Sequence, residues 1–113
     1  MAPSILAGQD RLPLNNGMEL RLLSALEVLQ ARREAEGLAR APKEHALCSN
    51  ACLLARALET EGGSPVFPGG EAVLAGLRVE EIAALSRTWS QFNREENPAL
   101  TMEQEEAEEL KKN

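Results

Sequence analysis

Tyrosine is absent from the chain, histidine and aspartate occur once each (His45 and Asp10), and the aromatics are limited to Phe67, Trp89 and Phe92. A hydrolase or transferase needs a nucleophile beside a base, or paired carboxylates in a protected cleft. So poor a supply of reactive groups predicts no catalytic residue and no cofactor. With few rings, the core must be built from Leu, Ala, Val and Ile, which favours helices packed on helices. No run of about 18 apolar residues occurs, so no membrane span is expected. The opening stretch Met1-Ala-Pro-Ser-Ile-Leu-Ala-Gly-Gln-Asp-Arg11 has neither a basic start nor a sustained apolar stretch, and it does not read as a signal peptide. Cysteine is confined to Cys48 and Cys52, expected to be reduced thiols in a cytoplasmic chain. Positive charge is short too: 12 Lys and Arg stand against 18 Asp and Glu, a net charge of −6. That balance argues against a nucleic-acid backbone and against anionic lipid as partners.

At 113 residues the chain is long enough for one domain. A domain of this size buries only about 60–70% of its unfolded surface, so a partner could add to a modest stability.

Residues 1–16 mix Pro3, Gly8, Pro13 and Asn15-Asn16 without periodicity and read as an irregular, flexible lead-in. A helical domain is expected over 17–98. Its first helix runs from Gly17 or Met18 to Arg40, with Leu22, Ala25, Leu26 and Leu29 as the core-facing stripe. A second helix covers Lys43–Glu61; its two adjoining stripes, Leu47-Ala51-Leu54-Leu58 and Cys48-Cys52-Ala55, make it the central one. Gly62-Gly63 ends it, and residues 62–70 form a loop. A short helix over Glu71–Ala75 and a longer one over Val79–Glu96 follow, the latter carrying Ile82, Leu85, Ser86, Trp89 and Phe92 on one face. Residues 99–113 make a charged tail with five glutamates, in which Thr101 and Gln104 have capping-box spacing. Neither a repeat nor a strand of useful length is apparent. The expected fold class is all-α, a small bundle of four to five helices.

His45, Cys48 and Cys52 lie three and four residues apart on one helix and invite a metal reading. At 1.5 Å per residue, however, His45 and Cys52 stand roughly 10 Å apart along the axis, too far for one tetrahedral ion. No metal site is expected; the cysteines read as small core residues. In the glycine-rich loop, Glu71 follows Gly70 where a phosphate loop needs Lys and Ser or Thr. Trp89 and Phe92 read first as core residues. Together with Ile82 and Leu85 they are also the candidate partner-binding face, since Trp is the commonest interface anchor.

Four segments, taken in order, resemble the small tail assembly chaperones of long-tailed bacteriophages. They are Leu23-Ser-Ala-Leu-Glu-Val-Leu-Gln-Ala-Arg-Arg-Glu-Ala-Glu36, His45-Ala-Leu-Cys-Ser-Asn-Ala-Cys-Leu-Leu-Ala-Arg-Ala-Leu58, Pro65-Val-Phe-Pro-Gly-Gly-Glu-Ala-Val-Leu74 and Val79-Glu-Glu-Ile-Ala-Ala-Leu85. The likeness spans about residues 20–98. It implies a cytoplasmic helical protein that coats the long tape measure protein and keeps it soluble. The chaperone then leaves as tail-tube subunits polymerise, and so is missing from the mature virion. The tape measure protein is the implied partner, with the tail-tube protein and a second copy of the chain as further candidates. Rival readings are a structural head–tail component and a small acidic regulator such as an antitoxin.

Overall fold

The computed structural model describes residues 10–96. Most of the expected lead-in, the Thr101 capping box and the glutamate run lie outside the described residues.

Leu12, Leu14, Met18 and Leu20 alternate with Arg11, Pro13, Glu19 and Arg21 on either side of Asn15-Asn16-Gly17. A period of two belongs to a strand, and an Asn-Gly turn between such runs is a strong hairpin signal. Gly17 supplies the left-handed angle the turn requires, at φ +80°. The resulting strands are β1 (Arg11–Pro13) and β2 (Met18–Arg21), paired antiparallel with Leu12 opposite Leu20. On the other side of β2 lies β3 (Leu58–Thr60), also antiparallel, with Leu58 opposite Leu20.

The all-α expectation is therefore wrong. The described residues form a mixed fold, four helices beside a three-stranded sheet of order β1-β2-β3. Residues 11–21, assigned to an irregular segment and the start of a helix, belong to the sheet instead.

α1 (Ala25–Leu38) begins seven or eight residues later than the spacing predicts, because Ser24 starts it. The Ser24 hydroxyl accepts from the Glu27 N–H at 3.1 Å, and the Glu27 carboxylate accepts from the Ser24 N–H at 2.9 Å. A single 3₁₀ turn, Pro42–Glu44, leads into α2 (His45–Ala57), which ends where its backbone turns extended at Leu58. The expected helix to Glu61 is cut short because β2 takes the backbone of residues 58–60 into its ladder. Past it, Gly63, at φ +87°, turns the chain back. α3 (Gly70–Gly76) and α4 (Val79–Glu96) follow close to their predicted limits.

α2 is central: it packs against α1, α3 and α4 and touches β2 and β3. The larger core cluster holds Leu20, Leu54, Leu58, Val73, Ile82 and Trp89, joining the sheet's inner face to α2, α3 and α4. A smaller one, of Ala31, Ala35, Cys48 and Cys52, lies between α1 and α2. Among the described residues no helix is long and apolar enough to cross a membrane.

Candidate functional site

The face predicted to meet a partner lies inside the molecule. Ile82, Trp89 and Phe92 are buried and Leu85 is half-buried. α4 turns this stripe inward, and the Trp89 indole N–H donates to the Arg21 carbonyl at 2.8 Å, joining α4 to the end of β2. A buried indole needs such a partner. These four residues are thus brought together, but as packing and not as surface.

The apolar surface is elsewhere. Leu26 is 58% exposed and Leu29 44%, one turn apart on the outer side of α1, with Ala25 exposed beside them. Val79, at the start of α4, is the other large exposed hydrophobe among the described residues. This corrects the stripe assigned to the first helix: Ala25, Leu26 and Leu29 face solvent, while Ala31 and Ala35 face the core.

Ion pairs and close packing on the inner side of α1 explain that rotation. Glu27 and Glu34, seven residues apart, lie along one edge of the helix. Glu27 takes Arg21 Nη2 at 2.6 Å. Glu34 takes Arg56 Nη1 at 2.6 Å through one oxygen and the Gly70 N–H at 2.8 Å through the other, tying α1 to α2 and α3. On this side of the helix Ala31 and Ala35 pack with Cys48 and Cys52. With α1 held in this orientation, Leu26 and Leu29 are left outside.

The outer face of the sheet carries a second polar network. Direct cross-strand neighbours are like-charged, Arg11 opposite Arg21 and Glu19 opposite Glu59, which alone would destabilise the pairing. The diagonals resolve it. Arg11 reaches Glu19 at 2.8 Å and Glu59 at 2.7 Å, and Arg21 Nε reaches Glu59 at 3.0 Å. The largely buried Glu59 carboxylate is thereby shared by two guanidinium groups.

Arg21 and the Ser24 cap hold the Glu27 carboxyl down at about 2, against the opposing pull of burial. Burial pushes the Glu34 carboxyl up, but Arg56 and the Gly70 amide together outweigh it and the net shift is downward. Burial, with the Glu34 carboxylate beside it, raises the Cys52 thiol to about 12, so it stays protonated and unreactive at neutral pH. Cys48 and Cys52 are both free and buried, whereas His45 is exposed. No group of three or more His, Cys, Asp or Glu among the described residues is placed to hold a metal ion. An open groove of about 280 Å³ is lined by Glu36, Ala39, Arg40, Ala41, Pro42 and His45. Its ionisable side chains are all exposed, so it lacks the desolvated pair that acid–base chemistry needs.

The outer face of α1 is the best candidate site, and what it can do is bind. Its residues Ala25, Leu26 and Leu29 are those the sequence reading expects in the core, so the spacing alone gives no signal of a surface site. Comparison with protein-family models, curated proteins and solved structures finds no match to this chain.

Proposed function

We propose that the protein is a tail assembly chaperone of a long-tailed bacteriophage, which binds the helical tape measure protein and keeps it soluble in the host cytoplasm until tail-tube subunits enclose it. The exposed Leu26–Leu29 stripe on α1 carries the reading, beside the resemblance of residues 20–98 to that family. A long helical client exposes apolar stripes that aggregate unless covered. A chaperone covers them with an apolar stripe of its own, helix against helix. Its net charge of −6 then keeps the complexes apart. The role requires no catalytic step.

Co-expression of the tape measure protein tests this. Its soluble fraction should rise with the wild-type chain and fall back with Leu26→Ser/Leu29→Ser, which alters exposed positions only. A client equally soluble with and without this protein would refute the role. Finding the protein as a stoichiometric part of purified particles would instead favour a structural component.

A further inference from the structure

Arg11, Arg21, Arg56 and Arg78 each hold a carboxylate, whereas Arg32, Arg33, Arg40, Arg87 and Arg94 hold none among the described residues; Arg32 and Arg33 are the two beside the exposed leucines. Both are exposed on α1, one turn beyond Leu29. Glu36 shares that side of the helix, and Arg40, Lys43 and Glu44 follow beyond its end, so these six side chains sum to +2 in a chain of net −6. The outer surface of α1 thus reads in two parts, leucine first and arginine after.

We infer that this face docks an amphipathic helix whose apolar stripe is flanked by carboxylates, the stripe lying on Leu26 and Leu29 and the carboxylates on Arg32 and Arg33. The inference rests on the chaperone reading for its surface and adds the charge of the client. A fourteen-residue helix is about 21 Å long, room for some four turns of a partner. Ridges at three- and four-residue spacing accept another helix. A nucleic acid does not suit the face, because two arginines beside leucines in an acidic molecule offer a backbone too little charge. Nor does a second copy of α1. Set antiparallel with Leu26 on Leu29 it would bring Leu23 and Leu22, not carboxylates, opposite Arg32 and Arg33, and set parallel it would oppose arginine to arginine.

Two synthetic helical peptides with one leucine stripe, flanked by Glu in one and Lys in the other, test the inference against the full chain by fluorescence anisotropy. The Glu-flanked peptide should bind about three- to tenfold tighter at low salt, the range that two exposed ion pairs provide. The difference should shrink as salt rises. Arg32→Glu/Arg33→Glu should reverse the preference without moving the melting temperature, and Leu29→Ser should weaken both peptides. Equal affinities, or a preference that survives the charge reversal, would overturn the inference. If those equal affinities still depend on Leu29, the surface reading stands alone; if they do not, both readings fall. Binding seen only after Glu103, Glu105, Glu106, Glu108 and Glu109 are changed to Gln would mean that the chain's own acidic run occupies the face, which also overturns it.

Discussion

Gly70 stands where α3 meets α2 at closest range: a Cβ placed there would overlap Cys52 Sγ and lie 3.2 Å from the Cys52 Cα. Its N–H also feeds the Glu34 carboxylate. Gly70→Ala must push α3 outward, and overpacking of this kind costs about 1–3 kcal/mol. A lowered urea midpoint would show it. Ser86 presents the opposite case. Its hydroxyl is buried on α4 without a hydrogen-bond partner, a burden of about 1–3 kcal/mol for a neutral polar group. Ser86→Ala should therefore raise the melting temperature or leave it unchanged, and a clear fall would show that the hydroxyl has a use. Trp89 is legible from the sequence as a large apolar residue on an amphipathic helix, but its bond to the Arg21 carbonyl is not, since that partner is 68 residues away.

Among the elements, α4 is read most fully from its sequence: one amphipathic stripe, acidic residues in its first turn, and limits at Val79 and Glu96. α1 is read least well. Its apolar residues make two stripes, and the choice between them depends on Arg21, Arg56 and Gly70, all distant in sequence. β3 has almost no local signal, because Leu58-Glu59-Thr60 continues the stripe of α2; the edge of β2 makes it a strand. The hairpin does have a local signal, Asn15-Asn16-Gly17 between two runs that alternate with a period of two. The start of α1 also carries a pH dependence. Glu27 titrates at about 2 in the folded protein against an ordinary 4.5. A lowered folded pKa contributes stability that is complete above 4.5 and is lost as the pH falls toward 2. The melting temperature of the wild type should drop through that window more steeply than that of Glu27→Gln, the two curves converging at its acid end. Parallel curves would count against the Arg21–Glu27 link.

At the scale of the whole molecule, stability concentrates on α2, against which every other α-helix among the described residues packs. Leu54 is fully buried in the larger cluster, and Leu54→Ala should cost about 2–5 kcal/mol, read from chemical denaturation. Trp89→Ala would fail as a probe of partner binding, since it opens the core and frees β2 from α4. Leu26 and Leu29 are exposed, so substitutions there test the proposed binding without opening the core. The sheet, finally, has a bearing on the order in which the chain acquires its shape. β1 and β2 are neighbours in sequence, but two strands alone are marginal in water. The third arrives only with residues 58–60, after α1 and α2 have been made. Closing the sheet at Glu59 therefore joins residues 11–21 to residues 58–60 across the whole span of α1 and α2, so the hairpin gains its third strand only when that span is present.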